Sequence, residues 1–195
     1  MSFEIQNIKV VHEGWGRFFI ASIRLPDGHI IRREIEDHGA AVAVLAYDEE
    51  RRVAMMVSQF RPAIYLASGE QAVLEIIAGG LGEDEAQDAC VRREAIEEGG
   101  LQLGALECIV DAWPMPGVSM ERIAIYLASY TAADRIGPGG GLAEEHEGIT
   151  VMEVPLSDIA AMADKGVLTD LKSYAAVQAL RLKRPDLFFY HCGGC

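Results

Sequence analysis

The chain is poor in cysteine and in positive charge, and each shortage excludes a class of protein. Its 195 residues include four cysteines, at positions 90, 108, 192 and 195, too few and too scattered for a disulfide scaffold. Seventeen Lys and Arg face 30 Asp and Glu, for a formal net charge of −13. A protein that binds a nucleic-acid backbone needs the opposite sign, so no nucleic-acid partner is expected.

Targeting signals and long apolar runs are also missing. The opening residues, MSFEIQNIKV, lack the basic and apolar regions of a signal peptide. No apolar run reaches the roughly 20 residues of a membrane span, so we expect a cytoplasmic protein without a membrane partner. Half of the residues are nonetheless apolar, which suffices for the core of one compact domain, with a small annex.

Short apolar runs that alternate with turn signals predict an α/β fold with a mixed β-sheet. Residues 3–36 form extended runs around a turn at 26–28, and they indicate an N-terminal antiparallel β annex. Further strands are expected at residues 40–48, 52–60, 72–80, 106–117, 122–130 and 149–155. Two helices close the chain, one capped at Ser157-Asp158 and the other at Thr169 or Asp170. We therefore predict an annex at 1–38 and a main domain at 39–195.

One charged stretch, GGLGEDEAQDACVRREAIEEGGL at residues 79–101, predicts a helix between glycines. The glycines before Asp84 bar a regular helix start, and Asp84 itself can cap the N-terminus. Gly99 and Gly100 supply a left-handed stop. The expected helix therefore runs from about Glu85 to Glu98.

The acidic side chains of that helix share one face. Glu94, Glu97 and Glu98 span about 100° of the helical wheel and continue a face that begins with Cys90 and Val91. Like charges this close repel, and the negative end of the helix dipole disfavours them further. A solvated helix of ion pairs would intersperse lysines instead. Because Mg²⁺ prefers carboxylate oxygens, a bound divalent cation resolves both problems.

These residues resemble the Nudix box, which is a glycine, a spaced glutamate and an Arg-Glu-x-x-Glu-Glu-x-Gly core. Here the box is Gly79, Glu85 and the run RREAIEEGGL at residues 92–101. Ala95 is the one departure, since many members carry a bulkier apolar residue there. The flanks resemble the branch of nucleoside-diphosphate-sugar pyrophosphatases that includes ADP-ribose and GDP-mannose pyrophosphatases. The matching segments are Arg33-Glu34, Gln59-Phe60-Arg61, Leu74-Glu75, Ala78-Gly79, the stretch from Pro116 to Glu121, and the acidic loop from Glu145 to Ile149.

The resemblance implies a Nudix α/β/α sandwich and a magnesium site, with Mn²⁺ as a possible substitute. Arg93 would orient a glutamate and pair with Glu85. Glu145 would act as general base or position the attacking water, with Glu147 close by; which of the two is the base stays open. The implied metal ligands are the carboxylates of Glu94, Glu97 and Glu98 and the carbonyl of Ala78.

The resemblance also implies a substrate site and a homodimer. Phe18 in the annex would stack on the nucleotide base. The branch forms homodimers through its N-terminal strands, so a homodimer is expected here. The side chains that would line the substrate are Arg33, Arg61, Glu75 and Glu121.

The implied activity is hydrolysis of the diphosphate of a nucleoside diphosphate sugar. ADP-ribose, cleaved to AMP and ribose 5-phosphate, is favoured as the commoner substrate, and GDP-mannose, cleaved to GMP and mannose 1-phosphate, stays open. The alternative is a regulator of the same fold that binds a nucleotide sugar without cleaving it. Such a regulator would be expected to have lost metal-binding carboxylates, and this chain keeps them all.

Overall fold

The computed structural model describes residues 2–142 and 148–188, and the chain divides into two compact units. Unit 1 comprises residues 1–41 and 112–123, and unit 2 comprises residues 42–111 and 124–195. The annex expected at 1–38 lies in unit 1, together with a second segment that the sequence pattern did not suggest.

Unit 1 contains a three-stranded antiparallel sheet in the order β1-β2-β3. Its strands are β1 Glu4–Glu13, β2 Arg17–Arg24 and β3 Ile30–Asp37. The turn between β2 and β3 closes where Leu25 N–H donates to the His29 carbonyl (2.8 Å), and Gly28 has a φ of 90°. Glycine adopts that backbone conformation at little steric cost, so the hairpin predicted from residues 26–28 is confirmed.

A seven-stranded sheet runs in the order β10-β5-β4-β9-β8, with β6 beside β5 and β7 beside β4. The pairings of β5 with β4, β6 and β10 are antiparallel. The bounds are β4 Ala40–Asp48, β5 Val53–Gln59, β6 Val73–Glu75, β7 Ile77–Gly80, β8 Glu107–Ala112, β9 Arg122–Ser129 and β10 Thr150–Pro155.

The single strand predicted at residues 72–80 is wrong, because the chain changes partner strand at Ile76. The N–H of Ile76 donates to the hydroxyl of Ser173 (2.8 Å) instead of to a neighbouring strand. The ladder is interrupted there, and the chain continues as β7 beside β4.

In the described part of the chain, four α-helices accompany the sheet: α1 Pro62–Ser68, α2 Gln87–Glu97, α3 Leu156–Asp164 and α4 Leu171–Lys183. The sequence pattern did not predict α1. The cap predicted at Ser157-Asp158 is also wrong, since α3 begins at Leu156, whose buried side chain belongs to the core. Asp170 does cap α4, where its carboxylate accepts the N–H of Ser173 at 3.0 Å.

The core of unit 2 forms around β4, which is buried on both sides. Val42, Val44 and Ala46 share a cluster with Cys90, Val91 and Ala95 of α2. The residues between them in β4 are equally buried and point to the opposite face, since side chains alternate along a strand. Burial on both faces explains the continuous apolar run at 40–48, and the α/β class expected from the sequence is confirmed.

Within residues 2–142 and 148–188, no helix is both long enough and apolar enough to cross a membrane.

Candidate active site

The loop that leads into α2 sets the position of the first acidic side chain. The Glu85 carboxylate accepts the N–H of Gly82 (2.9 Å), and the Glu85 N–H donates to the Gly82 carbonyl (3.2 Å). Asp84 has a φ of 58°, in the left-handed region that aspartate tolerates better than most residues. The cap predicted at Asp84 and the helix start at Glu85 are therefore wrong, because this tight loop delays the helix to Gln87.

Arg93 lies at the centre of the acidic face of α2. Its Nε and Nη2 donate to the two carboxylate oxygens of Glu85 (3.0 and 3.1 Å). Its Nη1 donates to Glu94 Oε1 (2.7 Å) and to Glu97 Oε2 (3.0 Å), and Nη2 also reaches the carbonyl of Gly80 (3.3 Å). The expected pairing of Arg93 with Glu85 is thus present in the structure, and the glutamates that Arg93 orients are Glu94 and Glu97.

The charge of Arg93 changes the protonation of its partners. Hydrogen bonds from Arg93, helped by the Gly82 N–H, lower the pKa of Glu85 to about 2. The hydrogen bonds to Glu85 in turn raise the pKa of Arg93 well above its usual value. Glu85 is therefore ionised and Arg93 charged at any physiological pH.

Glu98 completes the acidic group at the C-terminal end of α2. Its Oε2 accepts the N–H of Ala78 (3.0 Å), and the residue is only 3% exposed. Gly79 follows, and a Cβ built there would lie closer than 3.0 Å to the carboxylate of Glu94, a separation that real Cβ atoms do not show. The backbone at 78–79 and the carboxylates of Glu94 and Glu98 are therefore neighbours. We call Glu85, Arg93, Glu94, Glu97 and Glu98 the Arg93 cluster.

The C-terminal end of α2 is bonded to a glycine-rich segment, residues 136–141, which we call the glycine clamp. Gly140 donates its N–H to the Glu98 carbonyl (2.8 Å), and Gly141 donates to the Glu97 carbonyl (3.0 Å). Gly100 ends the helix with a φ of 65°, as the predicted left-handed stop requires.

The Arg93 cluster has the chemistry that a hard divalent cation needs, although its carboxylates are held by Arg93 and by backbone N–H groups. Among the described residues, no three His, Cys, Asp or Glu side chains form a ready-made metal cage. Carboxylate and carbonyl oxygens are the preferred ligands of Mg²⁺. The close contact between Gly79 and Glu94, which any side chain would block, brings a carboxylate against the backbone next to the Ala78 carbonyl. These residues fit the expected cation.

A second group of charged side chains joins β6 to the start of α4. It consists of Arg61, Glu75, Asp170 and Lys172, and we call it the Glu75 cluster. Arg61 grips Glu75 with two hydrogen bonds, Nε to Oε1 (2.7 Å) and Nη2 to Oε2 (2.9 Å). Lys172 pairs with both Glu75 and Asp170, the second at 2.9 Å. Asp170 also accepts the hydroxyl of Ser173, which binds the backbone between β6 and β7.

Burial and charge act against each other at Glu75. Burial raises the pKa of Glu75, but the hydrogen bond from Arg61 and the charge of Lys172 outweigh it, so the pKa is lowered overall. The pKa of Arg61 is raised chiefly by its hydrogen bonds to Glu75, and the charges of Glu98 and Asp170 add to the rise. The guanidinium of Arg61 therefore stays charged and is held in one orientation. It also interacts electrostatically with Glu98 of the Arg93 cluster.

Three predicted substrate residues belong to unit 1, whereas the Arg93 and Glu75 clusters belong to unit 2. Phe18 is half-buried on β2, where it lies opposite Glu36 of β3. Arg33 is exposed on β3, and its guanidinium donates to the carbonyl of Arg32 (2.9 Å). Glu121 precedes β9, and its N–H donates to the hydroxyl of Ser119 (3.2 Å). The predicted bases Glu145 and Glu147 lie outside the described residues.

Sequence reasoning missed Lys172 and the glycine clamp. Lys172 contacts a carboxylate 97 residues away, and nothing local to position 172 signals that contact. The glycines at 137 and 139–141 stand in the sequence, but no local pattern there predicts a contact with α2. Their N–H groups bind the end of α2, a contact that depends on the tertiary structure.

Three comparisons place this site among known proteins. A model of the NUDIX domain matches residues 37–177. GDP-mannose pyrophosphatase of Cronobacter sakazakii is 35% identical over 159 residues, which cover 80% of this chain and 82% of the relative. GDP-mannose pyrophosphatase of Klebsiella pneumoniae subsp. pneumoniae is 30% identical over 187 residues, 93% of each chain. A crystal structure of an ADP compounds hydrolase superposes with a TM-score of 0.76 over 95% of this chain and 96% of its own, at 14% identity.

Proposed function

This chain belongs to the NUDIX family, and on that premise we propose that it is a Mg²⁺-dependent pyrophosphohydrolase acting on a nucleoside diphosphate sugar. The observation that carries the proposal is the Arg93 cluster, in which one guanidinium binds the carboxylates of Glu85, Glu94 and Glu97, and the carboxylate of Glu98 accepts the N–H of Ala78 beside a glycine turn. The named relatives and the Nudix box support the same reaction class.

The reaction joins water to one phosphorus of the diphosphate and breaks the bridging P–O bond, so that a nucleoside monophosphate and a sugar phosphate leave. A bound divalent cation would neutralise the anionic oxygens and lower the pKa of a bound water. We assign its ligands to Glu94, Glu97, Glu98 and the Ala78 carbonyl. Arg93 keeps Glu85 and the carboxylates of α2 oriented, since its fork can hold several oxygens at once.

Arg61 is suited to bind a phosphate group of the substrate. Its side chain is 41% exposed, yet it is held by a bidentate pair of short hydrogen bonds to Glu75. A charged guanidinium in a fixed orientation loses little freedom when an anion binds, so its electrostatic effect is available without rearrangement. On the resemblance, we also assign substrate contacts to Glu75, Phe18, Arg33 and Glu121, and the general base to Glu145, with Glu147 as the alternative.

GDP-mannose is the first substrate to test. The family resemblance favours ADP-ribose as the commoner substrate, but the relatives at 30–35% identity carry the name GDP-mannose pyrophosphatase. The ADP compounds hydrolase supports the fold and, at 14% identity, carries no weight for the substrate. GDP-mannose, ADP-ribose and other nucleotide sugars compared side by side, with Mg²⁺ and with Mn²⁺, would rank them by kcat/KM.

The deciding experiment is the substitution Glu98→Gln, assayed by release of a nucleoside monophosphate. We expect turnover to fall about a hundredfold or more, because Lewis-acid catalysis is worth several kcal/mol and each 1.4 kcal/mol is about tenfold in rate. Glu83→Gln, which removes an exposed carboxylate of the preceding loop, is the matched control and should retain activity. Wild-type turnover in Glu98→Gln, or tight GDP-mannose binding without product in the native chain, would contradict the proposal.

A second copy of this chain is the expected partner of the N-terminal sheet. Within residues 2–142 and 148–188, strand β1 pairs with β2 alone, and it is exposed along its whole length, including Ile5, Ile8, Val10 and Val11. An exposed apolar edge strand is a site for association. We expect a dimer by light scattering, weakened by Ile8→Glu and retained in Lys9→Glu. A monomer at micromolar concentration would contradict this assignment.

A further inference from the structure

The last turn of α2 carries two adjacent predicted metal ligands, and the glycine clamp holds the backbone of both. Gly140 and Gly141 donate to the carbonyls of Glu98 and Glu97. A helix leaves its last carbonyl groups without partners inside the helix, and these carry the negative end of its dipole. The two N–H groups offset that negative charge at the point where Glu97 and Glu98 add more.

The clamp continues beyond the end of the helix. Ile136 and Gly137 both donate their N–H groups to the Gly100 carbonyl, at 2.8 and 3.2 Å, and Leu101 forms an antiparallel bridge with Arg135. Four backbone hydrogen bonds thus tie residues 136–141 to Glu97, Glu98 and Gly100.

Two glycines make this close approach possible. Gly139 has a φ of 67°, and a Cβ there would lie closer than 3.0 Å to the Glu98 carbonyl. Gly100 has a φ of 65°, and a Cβ there would overlap the Gly137 carbonyl in the same way. Gly137 differs, because its φ lies outside the left-handed region and a Cβ would meet nothing nearer than Gly100 Cα at 4.0 Å.

We infer that the glycine clamp positions Glu97 and Glu98 for the divalent cation, with Gly139 as its critical residue. Glu98 is then held at both ends, by the clamp at its carbonyl and by the Ala78 N–H at its carboxylate. The inference rests on the proposed function, since it takes these two glutamates as ligands. It adds that the geometry of the site depends on a segment about 40 residues further along the chain.

The test compares Gly139→Ala with Gly137→Ala in the full-length chain, using Mg²⁺ titration by calorimetry. We expect Gly139→Ala to weaken Mg²⁺ binding about tenfold or more, the usual effect of disturbing a group that orients a metal ligand. Gly137→Ala, a matched alanine in the same segment, should bind Mg²⁺ like wild type. Equal affinities for both variants would overturn the inference.

Glu98→Gln separates this inference from the proposed function. If Glu98→Gln binds Mg²⁺ as wild type does, the metal role of Glu98 fails and the inference fails with it. If Glu98→Gln loses Mg²⁺ binding while Gly139→Ala keeps it, the clamp inference alone is overturned.

A measurement on the wild-type chain covers the case in which Gly139→Ala does not fold. Amide hydrogen exchange at Gly140 and Gly141 should slow when Mg²⁺ is added, because a cation held by Glu97 and Glu98 stabilises the bonds that those amides make. The amides of the β2-β3 hairpin serve as the internal reference. Unchanged exchange at Gly140 and Gly141 under saturating Mg²⁺ would overturn the inference.

Discussion

The Arg93 cluster and the Glu75 cluster are built from the same side-chain types but differ in how their charges balance. In the Glu75 cluster two cations, Arg61 and Lys172, face two carboxylates, Glu75 and Asp170. The Arg93 cluster contains one guanidinium and four carboxylates; Arg93 binds Glu85, Glu94 and Glu97, and Glu98 accepts a backbone N–H. A network with balanced charges needs no further cation, whereas an excess of carboxylates on one helical face is stabilised when a cation binds.

Removing the shared carboxylate of the balanced cluster should have the largest effect on stability. Glu75→Gln leaves Arg61 and Lys172 without their common partner, and we expect the free energy of unfolding to fall by about 3 kcal/mol. That is the lower end for breaking a buried pair, because Arg61 stays partly exposed and screened by solvent. Urea denaturation measures the loss. Glu107→Gln, which breaks the exposed pair with Lys183, is the control. An equal loss of unfolding free energy in both variants would show that the Glu75 cluster contributes no more to stability than an exposed ion pair.

Magnesium should stabilise the chain through the unbalanced cluster alone. At a Mg²⁺ concentration one hundred times the dissociation constant, the expected gain in unfolding free energy is about 2.7 kcal/mol. Thermal unfolding with and without Mg²⁺ should show the gain in wild type and in Glu75→Gln, and show none in Glu98→Gln. A gain that survives in Glu98→Gln would mean that the cation binds elsewhere.

The tight turn beside the Arg93 cluster should tolerate no side chain. Gly79→Ala puts a methyl group into the carboxylate of Glu94, so we expect Mg²⁺ affinity to fall about tenfold, roughly 1.4 kcal/mol. Calorimetric titration measures it. Gly104→Ala, at a glycine with open space around it, should bind Mg²⁺ as wild type does. Unaltered affinity in Gly79→Ala would show that backbone and carboxylate do not share the ion.

The smallest effect concerns acid stability. Arg93 lowers the pKa of Glu85 from 4.5 to about 2, so the ionised carboxylate stabilises the fold above pH 4.5. That contribution disappears as the pH falls through about 2, because the unfolded chain takes up the proton first. Glu85→Gln should therefore flatten the dependence of unfolding free energy on pH in this window. An unchanged curve would show that the pair with Arg93 does not form in solution.

Local patterns predicted most of the fold. The apolar run at 40–48 and the hairpin around Gly28 were found because each is specified by neighbouring residues. The errors share a different cause. α2 starts at Gln87 because Arg93, a full two turns away, holds Glu85 in the loop. The strand predicted at 72–80 breaks at Ile76 because Ser173 takes its N–H.

The sequence by itself determined which carboxylates share a face, since positions 94, 97 and 98 meet wherever the chain is helical. It also determined the pairing of Arg93 with Glu97, for the same reason of spacing. Only the tertiary structure decided that Lys172 closes the Glu75 cluster and that the glycine clamp holds the end of α2. Those contacts join segments distant in the chain, and they form only when burial of the core has brought the segments together.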